Sequence, residues 1–175
     1  MARVADFRKS SQFSSEKIRK CGINVGRVAY PKLYGIENLL RILVHSILTA
    51  QQTLPGIRWW ESAVAPGIRG SIANQRDKAL NRISHTAPGE HEIYYTTLGQ
   101  LIDIIRTNSG SFVYLIPDIE KWVTQIELVR PARNLTAHMN FPKTTDRKRI
   151  DALYKDLDAL MDSLSESSAV PWLIP

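Results

Sequence analysis

The sequence predicts an all-α protein, an up-and-down bundle of four or five helices with extra helical segments. Three observations carry that prediction. Apolar residues recur three and four positions apart over most of the chain, the spacing that gathers them on one face of a helix. Connections of a few residues separate the long stretches, which favours antiparallel neighbours. The only β-leaning runs, Tyr94-Tyr95 and Phe112-Val113-Tyr114-Leu115, are too short for a sheet.

The first long helix carries Leu33, Ile36, Leu40, Leu43, Val44, Ile47 and Leu48, about five turns. Pro31 suits its first turn, where a missing N–H costs nothing, and Pro55-Gly56 closes the segment after it. A second stretch holds Trp59, Trp60 and Val64. After the break at Pro66, a third runs from about Ile68 through Ala79, Leu80 and Ile83 to Pro88-Gly89. Leu98, Leu101, Ile102 and Ile105 mark the fourth, with Thr96-Thr97 as caps and a stop at Asn108-Ser109-Gly110. The fifth starts at Pro117-Asp118 and carries Ile119, Trp122, Val123, Ile126 and Val129. The sixth starts beside Thr144-Thr145-Asp146 and carries Ile150, Leu153, Leu157, Leu160, Met161 and Leu164. Trp59, Trp60 and Trp122 fall at helical spacing, which assigns them to the core rather than to base stacking. The chain divides into a basic arm (1–29), a helical domain (30–164) and a tail (165–175). The tail's apolar end, Pro171-Trp172-Leu173-Ile174-Pro175, is expected to dock on the bundle rather than meet a partner.

Charge is unevenly placed. Of 23 Lys+Arg and 17 Asp+Glu, eight bases and two acids lie in residues 1–32, leaving fifteen of each sign for the rest. The whole excess of six positive charges therefore belongs to the N-terminal segment. That segment, with Arg3, Arg8, Lys9, Lys17, Arg19 and Lys20, is expected to recruit RNA or another anionic partner.

Length and an apolar share of 43% suit one domain with an ample core. Arg41 and His45 break the longest apolar stretch, so no membrane span is expected. No apolar segment follows the first basic residues, so no secretory signal is expected either. A single Cys21 allows neither an internal disulfide nor a cysteine zinc site, which suits a reducing, cytoplasmic setting. There is no glycine-rich phosphate loop, and no histidine pair at the spacing of a helix-borne metal site. Neither a cofactor nor a metal is expected.

The chemistry concentrates at the end of the fifth helix, Arg130-Pro131-Ala132-Arg133-Asn134-Leu135-Thr136-Ala137-His138. At about 100° per residue from Ile119, the apolar positions Trp122, Ile126 and Val129 fall near −60°, −20° and −80°, and Arg133 falls near −40°. Arg133 thus points where the apolar stripe points, and a guanidinium there needs a partner or a ligand. Asn134 and His138 fall near 60° and 100°, on the flank. Pro131 either kinks the helix or starts a new one. Glu37 sits inside the apolar stripe of the first long helix, with Arg41 and then His45 stepping outwards at i+4. Two roles are open for Glu37: an intrahelical pair with Arg41, or a carboxylate that orients Arg133 or His138.

The segment Arg133-Asn134-Leu135-Thr136-Ala137-His138 resembles the R-x4–6-H signature of HEPN domains (higher eukaryotes and prokaryotes nucleotide-binding), which often carry a polar residue right after the Arg. Pro31-Lys32-Leu33-Tyr34-Gly35-Ile36-Glu37-Asn38-Leu39-Leu40-Arg41 resembles the Glu-bearing early helix of one HEPN branch, with Trp59-Trp60 behind it. The resemblance runs from about Tyr30 to Leu164. It implies a bundle of four or five helices, frequently a homodimer with the two signatures facing each other across the two-fold axis. It also implies a metal-independent endoribonuclease of a toxin–antitoxin or phage-defence system, with an antitoxin or other protein as a further partner. The alternative it allows is a catalytically inactive module for dimerisation, nucleotide binding or protein interaction.

On the first reading His138 is the general acid or base, since an imidazole titrates near neutral pH. Arg133 holds the phosphoryl oxygens with its planar fork. Asn134 orients the phosphate or the imidazole, and Glu37 and Arg41 support them. Arg133 and His138 diverge by about 140° within one helix, so two copies at a dimer axis would let each Arg complement the other protomer's His.

Overall fold

The computed structural model describes residues 15–52, 56–82, 86, 88–138 and 140–175. It is all-α, with no strand among the described residues. In chain order the elements are α1 (Ser15–Asn24), a π turn (Val25–Ala29), α2 (Tyr30–Ala50), α3 (Trp59–Ala63), α4 (Pro66–Leu80), a 3-10 turn (Glu92–Tyr95), α5 (Leu98–Thr107), α6 (Ser109–Phe112), α7 (Ile119–Ala137) and α8 (Thr144–Glu166).

Four helices close a ring: α2 packs on α5 and α8, and α7 packs on the same two. The connection from α7 to α8 is six residues, a reach of about 20 Å, whereas α7 is about 28 Å long, so α8 must run back along it. Each helix turns its apolar stripe to the common centre. Ile36, Leu40, Ile47, Leu101, Ile105, Ile126, Ile150 and Leu157 are buried there, with Phe112 of α6. At Gly35 the ring of Tyr154 comes so near that an added Cβ would lie 2.5 Å from its Cε2. A side chain there would force the Tyr154 ring to move.

The predicted helices appear with shifted ends. Thr97 caps α5, its Oγ1 accepting from the Gln100 N–H while the Gln100 side chain accepts from the Thr97 N–H. Pro66 does not interrupt a helix but opens α4, which ends at Leu80. Ile83 lies outside the described residues. Tyr94-Tyr95 belongs to the 3-10 turn, and Phe112 ends α6. Trp59 and Trp60 are buried.

Pro31 stands in the first turn of α2, where the sequence places it, and the chain is already helical before it. α1 enters through the π turn, in which the Tyr30 N–H donates to the Val25 carbonyl. A proline clashes with the carbonyl four residues before it, and the wider π turn removes that clash without stopping the chain's helical course. α1 thus extends α2 outwards: between residues 19 and 28 no side chain is buried, whereas Ala29 is.

The tail lies against α2. Val170 is buried, Trp172 packs against the core, and Ser46 Oγ both accepts from the Leu173 N–H at 2.9 Å and donates to the Leu173 carbonyl at 3.3 Å. One buried hydroxyl thereby fixes the register of the last residues. No helix among the described residues is long and apolar enough to cross a membrane.

Candidate functional site

Glu37 lies on the apolar stripe of α2, between Leu33 and Leu40, which are both buried. Its carboxylate meets two guanidiniums. Arg133 of α7 donates from Nε to Oε1, and Arg41, one turn along α2, donates from Nη2 to Oε2 at 3.0 Å. Arg41 is buried: the same Nη2 reaches the Thr96 carbonyl at 3.0 Å, and Nη1 reaches Asn38 Oδ1 at 3.2 Å. Here the structure departs from the outward stepping expected of Arg41. The segment from the 3-10 turn to Thr97 covers that side of α2 and supplies the carbonyl that makes burial tolerable.

Both readings of Glu37 therefore hold together, since it pairs with Arg41 within its helix and holds Arg133 from the next. One carboxylate between two guanidiniums leaves an excess of one positive charge. The Glu37 and Arg41 side chains are 12% and 11% exposed, and that of Arg133 is 28% exposed. Arg133 is anchored through Nε alone, and its two terminal nitrogens make no hydrogen bond among the described residues. The arginine that helical geometry aimed into the apolar stripe is thus a fixed cation with an unused fork.

Beside it lies a cavity of about 130 Å³ lined by Tyr30, Leu33, Tyr34, Glu37, Arg133, Thr136 and Ala137. Leu33 and Thr136 are buried, and the Thr136 hydroxyl is satisfied by the Ala132 carbonyl at 2.9 Å. Tyr30 and Tyr34 are 60% and 63% exposed, their rings stacked at 6.5 Å and 27°.

Pro131 neither breaks α7 nor begins a new helix: α7 runs through it to Ala137. His138 is the C-terminal cap, its N–H donating to the Asn134 carbonyl at 3.1 Å. Asn140 folds over this end, its N–H on the Leu135 carbonyl at 2.9 Å and its Nδ2 on the His138 carbonyl at 3.0 Å. The side chains of Asn134 and His138 are exposed and make no hydrogen bond among the described residues. Among the described residues no hydrogen bond links His138 to Arg133.

Of the basic residues expected to meet RNA, Arg3, Arg8 and Lys9 lie outside the described residues. Lys17 is on α1. Arg19 and Lys20 are exposed on α1, with Lys20 paired to Glu16 at 2.6 Å, and Arg27 is exposed on the π turn. These cations sit on the outward extension of the helix that carries Tyr30, Tyr34 and Glu37.

A second polar cluster has no counterpart in the sequence patterns. His45, expected on the polar flank, faces His91 across 4.6 Å, with Trp59 stacked on His91 at 5.3 Å and Trp60 edge-on at 5.7 Å. Trp59 Nε1 donates to His45 Nδ1 at 3.2 Å, and the Ile93 N–H donates to His91 Nδ1 at 3.1 Å. Those acceptor roles require neutral rings protonated on Nε2. Burial is the main cause holding both imidazoles below their ordinary range. His91, which also feels His45, is pushed down to about 4. The residues come from α2, α3 and the cap of the 3-10 turn, and no spacing in the sequence links them.

Comparison with protein-family models, with curated proteins and with solved structures finds no match for this chain.

Proposed function

We propose that the chain is a metal-independent endoribonuclease of the HEPN type, acting as a homodimer in a toxin–antitoxin or phage-defence setting. The observation that carries this reading is Arg133: Glu37 holds it through Nε, and its terminal nitrogens stay open beside a cavity. An arginine gripped by Nε and open at the fork suits a phosphoryl group, which it can meet with two parallel hydrogen bonds.

The reaction asks for little else. The RNA's own 2′-OH attacks the adjacent phosphorus, the bond to the 5′-oxygen breaks, and a 2′,3′-cyclic phosphate and a 5′-OH result. His138 takes the proton from the 2′-OH or gives one to the departing oxygen, its exposed imidazole being free to do either. Arg133 stabilises the charge gathering on the phosphoryl oxygens. Asn134, exposed one turn before His138, orients the phosphate. The two principal groups lie about 140° apart around one helix, so the site is complete only where one protomer's Arg133 meets the partner's His138.

The test is cleavage of total and transfer RNA in EDTA by the wild-type protein and His138→Ala. EDTA-resistant products with cyclic phosphate ends, absent from the variant, are expected. Equal background from both proteins would remove the nuclease reading and leave a dimerisation or nucleotide-binding module. A monomer in sedimentation at micromolar concentration would remove the shared site, and relief of growth inhibition by the same substitution would carry the toxin setting.

A further inference from the structure

We infer that Tyr30 and Tyr34 form a stacking platform for a base of single-stranded RNA beside the phosphate held by Arg133. The inference rests on the reading that the cleft at Arg133 takes RNA.

Three features of this face converge. The tyrosines are one turn apart on α2, both rings more exposed than buried and stacked on each other, with no hydrogen bond made by either hydroxyl among the described residues. An aromatic ring left in water forgoes the burial that would stabilise the fold, and here two adjacent ones do so. They also line a cavity of about 130 Å³. Arg133 lines it too, and its charge is the surplus of the Glu37–Arg41–Arg133 group. An aromatic rim against a cation with free donors is complementary to a nucleotide, which joins a flat base to an anion at short range. It does not suit an apolar peptide face, which would bury the guanidinium fork without satisfying it.

The basic side chains of Arg19, Lys20 and Arg27 lie on the outward course of the same helix, so a strand leaving the platform meets further cations. Aromatic stacking tolerates any base, so the platform adds affinity and positions the strand without selecting sequence.

The test uses the full chain and a fluorescent 2′-O-methyl oligonucleotide, which cannot be cleaved because its 2′ oxygen is blocked. Tyr30→Ala and Tyr34→Ala are each expected to weaken binding about fivefold or more, while the Phe variants stay within about twofold. The dependence on salt is expected to keep its slope, since no charge is removed. On a cleavable RNA, KM is expected to rise with kcat nearly unchanged. Binding equal to wild type in both Ala variants overturns the platform. A changed sedimentation coefficient with binding intact overturns it too, assigning the face to contact between copies. Binding of the blocked strand does not require cleavage, so the platform stands or falls separately from the nuclease. Both residues are exposed, and unchanged far-ultraviolet circular dichroism will show that the variants fold.

Discussion

Arg133 of α7 donates from Nε to Oε1 of Glu37, a residue 96 positions earlier on α2, and the other oxygen of that carboxylate is taken by Arg41. The ion pair locks two helices that touch chiefly through their neighbours α5 and α8. It also fixes the cation at the rim of the cavity. Its stability and its function are separable because the carboxylate serves two arginines.

That sharing predicts an asymmetry. Glu37→Gln leaves two poorly solvated guanidiniums without a counter-charge and is expected to cost about 2–3 kcal/mol. Arg133→Met leaves Glu37 paired with Arg41 and is expected to cost about 1 kcal/mol or less. Urea denaturation of both variants checks the order. Equal losses would mean that Arg41 gains little from the carboxylate.

The paired imidazoles predict a pH dependence. Their neutral forms are favoured in the folded protein, so the unfolded chain binds more protons and stability falls as pH falls. The contribution is whole above about pH 6.5 and declines toward pH 4, the value to which His91 is pushed. About 2–3 kcal/mol is expected to go over that range. His91→Asn keeps an acceptor for the Ile93 N–H and removes the titration. Denaturation midpoints at pH 7 and 4.5 should lie closer together in this variant than in wild type.

Removing residues 170–175 would uncover the side of α2 at Ser46 and the seat of Val170 and Trp172. A loss of about 2–3 kcal/mol is expected from the apolar area alone. Ser46→Ala, which removes only the two hydrogen bonds to Leu173, should cost about 1 kcal/mol. Thermal unfolding of the two proteins distinguishes a docked tail from an idle one.

Deleting residues 1–28 removes seven bases and two acids and leaves Pro31 in the first turn of α2, where a proline is tolerated. RNA binding is expected to weaken, and the slope of log affinity against log salt to flatten by about 0.7 for each phosphate no longer neutralised. Cleavage at saturating RNA should change little. An unaltered slope would show that the N-terminal cations do not touch the strand.

Much of this was legible in the chain. The three-and-four spacing located the long helices of the ring, and the wheel from Ile119 put Arg133 on the buried side and Asn134 and His138 on the flank, where they are found exposed. Glu37 declared itself as an acid on an apolar stripe. Less was legible at Pro131, where a proline allowed two outcomes. Pro131 sits inside a continuous α7, exposed on its outer side. Pro31 falls in the first turn of α2 as read, and only the π turn before it has no mark in the sequence.

The sequence by itself determined the all-α class, the faces of the helices and the concentration of positive charge at the N-terminus, because each follows from residues near in the chain. Only the tertiary structure decided which partner satisfied each buried charge. Arg41 turned inward because the segment ending at Thr97 brought it a carbonyl, Glu37 gained Arg133 because α7 crosses at that level, and His45 met His91 because the 3-10 turn lies over α3. A charge leaves water only where partners converge, and that convergence is set by residues 46 to 96 positions apart, which no local pattern records.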